Sequence, residues 1–171
     1  MRIILVSDIH DQPEPGGGLG GDVDVAFVRM SEAADAAHLR GEALHRHLFS
    51  NGGMEKAVAH VAALGGDEAV GIGFSAGGTA LWRAAAGGMR MRALVCVSST
   101  RLRLETIRLS MPVHTFWGGR DAQIPDETWR RTMPTSSHVY EGLEHGFYQK
   151  REGDAAGRLW TAIRRALGVD W

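Results

Sequence analysis

Ser75, Asp121 and His145 are the residue types that nucleophilic acyl chemistry needs, and they occur in that order along the chain. A serine hydroxyl is a poor nucleophile until a base takes its proton. An imidazole is a suitable base near neutral pH, and a carboxylate fixes its tautomer and steadies the imidazolium that forms. Ser75 lies in Gly73-Phe74-Ser75-Ala76-Gly77, a match to G-x-S-x-G, in which the serine sits on a strained turn between a strand and a helix. So sharp a turn brings the two backbones together, and the flanking glycine positions tolerate almost no side chain. The Ala76 N–H, in the first turn of the helix, then points where an oxyanion would form.

The same stretch fits a second template. Gly71-x-Gly73-x-x-Ala76 is G-x-G-x-x-A, the turn that receives a dinucleotide. Arg101 and Arg103, beyond the next strand, could accommodate the 2′-phosphate of NADP. A third reading is plainer, since glycines are common wherever a strand meets a helix.

The elements around these residues favour the first reading. Ile3 to Val6 and Ala93 to Val97 are continuous apolar runs, the mark of parallel strands covered on both faces. Ala69 to Gly73 is a short buried strand leading into the serine, and the helix after it stops at Gly87-Gly88. Val23 to Val28 alternates and suits a sheet edge. Pro112 introduces a strand over Val113 to Trp117, and His138 to Tyr140 is a brief one. Helices are expected over Ser31 to Leu48 with a break near Gly41, from an N-cap at Asn51 to Leu64, from Pro125 to about Arg131, and over Asp154 to Leu167. No helix can be read between Gln12 and Gly21, where two prolines and five glycines occupy the first crossover. Strands alternating with helices at this spacing predict an α/β fold with a mainly parallel, doubly wound sheet of about six strands. Sites in such sheets form beyond the carboxyl ends of the strands, which is where Asp8 to Asp11, Ser75, Ser98 to Arg103, Asp121 and His145 fall.

Composition narrows the partners. With 171 residues, residues 1–171 are most economically one domain. With 19 basic and 20 acidic side chains there is no general field to hold a nucleic acid or an anionic membrane. A small-molecule substrate is expected instead. Met1 leads into only four apolar residues before Ser7, too short for a signal peptide or a span, so the chain reads as cytoplasmic. The lone Cys96 excludes an internal disulfide and sits in an apolar strand pattern. His38, His45 and His47 lack the spacing and the companions of a metal site, and are expected to be solvated. Asp8-x-His10 with Gly21-Asp22 mimics the opening of a metallophosphoesterase, but the later metal-binding segments are missing.

Three segments together carry a family resemblance: Gly73-Phe74-Ser75-Ala76-Gly77-Gly78, Phe116-Trp117-Gly118-Gly119-Arg120-Asp121, and Glu144-His145-Gly146-Phe147-Tyr148. From about Ile3 to Tyr148 the chain resembles the dienelactone hydrolase branch of the α/β-hydrolases. The resemblance implies a minimal α/β-hydrolase fold without a cap domain, catalysis by Ser75, Asp121 and His145, and no cofactor. It also implies an ester, lactone or thioester substrate. Ser7-Asp8-Ile9 occupies the place of the family's His-Glu-Ile, which makes the Ile9 N–H the second oxyanion donor beside that of Ala76, and puts Asp8 where an acidic residue contacts the nucleophile. The dienelactone hydrolases proper carry cysteine where this chain has Ser75. Asp8, His10, Arg101 and Arg103 are the candidates for substrate binding, the arginines as a carboxylate clamp. A non-catalytic binding protein on the same scaffold is the alternative from another class.

Overall fold

The structure, a computed structural model, describes residues 1–13, 19, 23–149 and 154–169. Six strands form one all-parallel sheet: β1 (Arg2–Val6), β2 (Asp24–Val28), β3 (Ala69–Phe74), β4 (Ala93–Val97), β5 (Val113–Gly118) and β6 (Ser136–Tyr140), in the order β2-β1-β3-β4-β5-β6. The apolar runs take the interior places, and every residue of β3 and β4 is buried. The alternating β2 and the polar β6 take the edges, where exposed or half-buried positions tolerate Asp24, Ser136 and His138. Register pairs Val6 with Gly73, Phe74 with Val97, and Gly118 with Tyr140, so the carboxyl ends of the strands share one rim. The chain leaves β1 toward β2 and later leaves β3 in the opposite direction. The crevice between β1 and β3 is therefore the topological switch point, the place where ligands enter open α/β sheets.

Among the described residues six α-helices accompany the sheet: α1 (Met30–Ala33), α2 (Gly41–Ser50), α3 (Gly53–Ala62), α4 (Ala76–Ala86), α5 (Glu127–Thr132) and α6 (Ala155–Leu167). Alternate residues of β1 face opposite layers. Ile4 and Val6 join Met30, Leu44, Leu48, Met54, Val61 and Leu81 in one core, whereas Ile3 and Leu5 join Phe74, Phe116, Leu159, Trp160 and Ile163 in the other. Each such fully buried aliphatic side chain contributes roughly 2 kcal/mol. The periodicity of α6 accounts for its part, because Leu159, Trp160 and Ile163 fall on one stripe.

Two helix boundaries differ from expectation. The break expected near Gly41 in the helix over Ser31 to Leu48 is present but begins earlier, running from residue 34 to residue 40 with Asp35 at φ +55°, and the helix resumes at Gly41. Asn51 does not start α3: it follows the last turn of α2, and Gly52, at φ +77°, supplies the left-handed residue that turns the chain into α3. After Pro125 the helix start is set by Asp126, whose side chain accepts from the Trp129 N–H at 2.8 Å. The expected helix-free crossover lies largely on residues 14–18 and 20–22, outside the described residues. Among the described residues no helix is long and apolar enough to cross a membrane.

Candidate active site

Ser75 stands between β3 and α4 at φ +50°, ψ −119°, a conformation that costs a non-glycine residue about 1–3 kcal/mol and persists only where its surroundings enforce it. They do so here. The Ser75 N–H donates to the Val97 carbonyl at 2.9 Å, and the Thr100 N–H donates to the Ser75 carbonyl at 3.3 Å, so the turn is tied to the end of β4. A Cβ on Gly73 would run into the backbone of Gly77 and Gly78, and one on Gly77 into the carbonyls of Val6 and Ser7. Gly71 is different. It lies inside β3, paired with Ile4 and Leu94, and the nearest atoms a Cβ there would meet belong to the Met91, Leu94 and Leu81 side chains rather than to backbone. The dinucleotide template needs its first glycine at the turn, so that reading is corrected: the glycines serve the serine turn.

His145 reaches the serine from a loop on the far side of the sheet. Its Nε2 is 3.0 Å from Ser75 Oγ, and its Nδ1 is 2.9 Å from Asp121 Oδ2. Asp121 has a fully buried side chain, and its Oδ1 accepts the Gln123 N–H at 2.8 Å, so both carboxylate oxygens are fixed. Gly118 makes this meeting possible. A Cβ there would collide with the Leu143 and Glu144 carbonyls, so only glycine lets the histidine loop press onto the end of β5. The Arg120 N–H donates to the Leu143 carbonyl at 2.8 Å and secures the loop. Phe147 and Tyr148 anchor it from below, with the Tyr148 ring 5.0 Å from that of Phe74.

Thr100, on which the sequence gives no particular signal, also touches Ser75. Its Oγ1 is 2.8 Å from Ser75 Oγ, and its carbonyl accepts from the Thr79 hydroxyl. With Nδ1–H turned to Asp121, His145 Nε2 is an acceptor. Ser75 then donates to His145 and accepts from Thr100, and both of its bonds run in compatible directions.

The loop after β1 lies against the same turn, because Gly77 is packed on Val6 and Ser7. Within it the Asp8 N–H donates to the Gln12 carbonyl and the Asp11 N–H to the Asp8 carbonyl, while the His10 and Gln12 N–H groups both donate to Asp8 Oδ1. The Ile9 N–H is the one amide from Asp8 to Gln12 with no acceptor among the described residues. Ala76, as the first residue of α4, likewise has an N–H without an intrahelical acceptor.

The structure corrects Asp8. It is buried, and besides the two loop amides its carboxylate accepts from the Tyr148 hydroxyl at 3.0 Å and from Gln149 Nε2. Four donors fill its acceptor capacity and leave nothing for a substrate or for Ser75. His10 is exposed at the rim, its ring beside Gly41. Arg101 is half-buried with its guanidinium 4.4 Å above the Phe49 ring, and its N–H donates to Gln123 Oε1, the atom that Arg103 also reaches. Of His38, His45 and His47, the last is not simply solvated, since its Nε2 is 3.1 Å from the Ala34 carbonyl. Among the described residues no group of three or more His, Cys, Asp or Glu is placed to hold a metal ion. Cys96 is buried within β4, and desolvation pushes its thiol up to about 12.

No family model matches the chain, and no curated protein matches it in sequence. Solved structures do resemble it. RedJ, a thioesterase from the prodiginine biosynthetic pathway in Streptomyces coelicolor, superposes with a TM-score of 0.66 at 18% identity, covering 97% of this chain and 90% of that one. A Klebsiella pneumoniae protein assigned as a dienelactone hydrolase gives 0.66 at 16% identity, with 98% and 86% covered. A hydrolase of the α/β superfamily from Xanthomonas campestris gives 0.65 at 12%, with 96% and 98% covered. Likeness across nearly the whole length of both chains, on an all-parallel sheet with the order β2-β1-β3-β4-β5-β6, establishes that this chain has the α/β-hydrolase fold.

Proposed function

We propose that the chain is a small serine hydrolase that cleaves a carboxylic ester, lactone or thioester through an acyl-Ser75 intermediate. The observation that carries the proposal is the unbroken hydrogen-bonded chain from Ser75 Oγ through His145 to Asp121. His145 Nε2 takes the Ser75 proton as Oγ bonds to the substrate carbonyl carbon. The Ile9 and Ala76 N–H groups receive the oxyanion, which is the largest electrostatic contribution in this kind of chemistry. Collapse breaks the bond to the leaving alkoxide or thiolate, which takes the proton from His145. Water, deprotonated in turn by His145, attacks the acyl carbon, and Ser75 leaves with the proton. Asp121 holds the imidazole tautomer throughout, and the cycle draws on no metal or organic cofactor. His10, Arg101 and Arg103, at the rim of the site, are proposed to meet the substrate outside the scissile bond. The likeness to a thioesterase and to a protein assigned as a dienelactone hydrolase agrees with acyl chemistry as the reaction class.

Hydrolysis of p-nitrophenyl esters of graded chain length tests this. Ser75→Ala and His145→Ala should each lower kcat by about a thousandfold or more, and Asp121→Asn should fall in the same range. Variants at Ser75 and His145 that keep near wild-type rates would refute the assignment.

A further inference from the structure

We infer that Asp8 is a positioning residue that locks the oxyanion loop to the histidine loop, so that the two halves of the site are set by one buried carboxylate. This rests on the hydrolase reading for its catalytic meaning, though the lock itself can be measured without it. Asp8 follows β1, Tyr148 and Gln149 follow His145, and the two groups are 140 and 141 residues apart in sequence. One oxygen, Oδ1, draws in the His10 and Gln12 N–H groups, both at 2.8 Å, which curls the loop and leaves only the Ile9 amide uncommitted. The other, Oδ2, accepts the Tyr148 hydroxyl and Gln149 Nε2. Burial, followed by the nearby Asp8 charge, holds the Tyr148 hydroxyl well above its usual range, so it stays a donor.

The outer side of the loop is held independently. Asp11, also buried, accepts from the Ser7 and Ser31 hydroxyls and pairs with Arg40 at 2.7 Å, which ties the loop to the start of α1. Asp11 therefore fixes where the loop lies on the sheet, and Asp8 fixes where Ile9 points relative to His145. Charged, multiply bonded carboxylates are suited to this because each such hydrogen bond is about twice as strong as a neutral one. A preorganised donor acts on the transition state rather than on bound substrate. Loss of the lock should consequently appear in kcat and not in KM.

The test uses Asp8→Asn, Tyr148→Phe and the double variant. Hydrogen exchange of peptides covering residues 7–12 should quicken at least several-fold in Tyr148→Phe, although that substitution is remote in sequence and removes one oxygen atom. Per active site titrated by fluorophosphonate, Asp8→Asn should lower kcat about tenfold or more with KM within twofold, a loss of one well-placed charged hydrogen bond. Tyr148→Phe should lower kcat less, and the double variant no further than Asp8→Asn. Unchanged exchange in Tyr148→Phe, or an unchanged kcat per titrated site in Asp8→Asn with only a lower Tm, would overturn the lock. A wild type that exchanges as expected but neither labels nor hydrolyses would instead sink the hydrolase reading.

Discussion

At the scale of single residues, the site depends on which hydroxyl, imidazole and carboxylate atoms meet. Ser75, Asp121 and His145 were legible as types in a telling order, and the structure brings them within hydrogen-bond distance. Thr100 was not legible beyond its membership of the stretch after β4, because a hydroxyl placed by the end of a neighbouring strand leaves no motif. Its bond to Ser75 Oγ has a measurable consequence. Thr100→Val keeps the shape and removes the donor, and should lower kcat about tenfold, the worth of one hydrogen bond at the upper end of the net range, while Thr100→Ser restores it. Steady-state kinetics on a p-nitrophenyl ester checks this. Asp8 was misread for a related reason: its place after β1 suggested a group open to substrate, and its burial partners, Tyr148 and Gln149, come from the other end of the chain.

At the scale of elements, the turn from β3 into α4 governs everything beyond it. The glycine spacing was legible because its cause is local: strand and helix approach so closely that a Cβ has no room. The neighbour that crowds Gly77, the end of β1, was not legible from that motif. Gly77→Ala would put its Cβ against the carbonyl oxygens of Val6 and Ser7, which are backbone and cannot rotate away. The variant should lose at least about 2 kcal/mol of stability in urea unfolding, since overpacking a rigid contact is costly. The strands were legible from their continuous apolar runs. A break before Gly41 was legible, but its beginning as early as residue 34 was not, because Ala-rich composition favours helix on propensity alone, whereas Asp35 at positive φ and the contacts of Asp11 with Ser31 and Arg40 decide the path.

At the scale of the molecule, one face of the sheet is covered by helices α1 to α4, with Trp129 of α5 joining their core, and the other, among the described residues, mainly by α6 and the Phe147-Tyr148 anchor. The thinner layer leaves an open cavity of about 530 Å³ between β5, β6 and α6, lined by His114, His138, Tyr140, Asp154, Arg158 and Arg165. Burial holds the His114 and His138 imidazoles below their ordinary value of 6.5, and His138 adds to the effect on His114. Well above pH 6.5 both are neutral in folded and unfolded chains, and stability is full. Below it the unfolded chain takes up protons that the folded one resists, so stability is lost until the folded-state values are passed. Tm should therefore fall as the pH is lowered through the ordinary imidazole value of 6.5, and His138→Gln should flatten that slope.

Ser75 as a nucleophile made reactive by His145 is the claim on which the other assignments depend. Intact-protein mass spectrometry after exposure to a fluorophosphonate tests it directly. The wild type should gain one phosphonyl group, mapped by peptide sequencing to Ser75, while Ser75→Ala gains none and His145→Ala reacts about a thousandfold more slowly. A folded wild type that stays unlabelled, or a label carried by another residue and undiminished in His145→Ala, would contradict it.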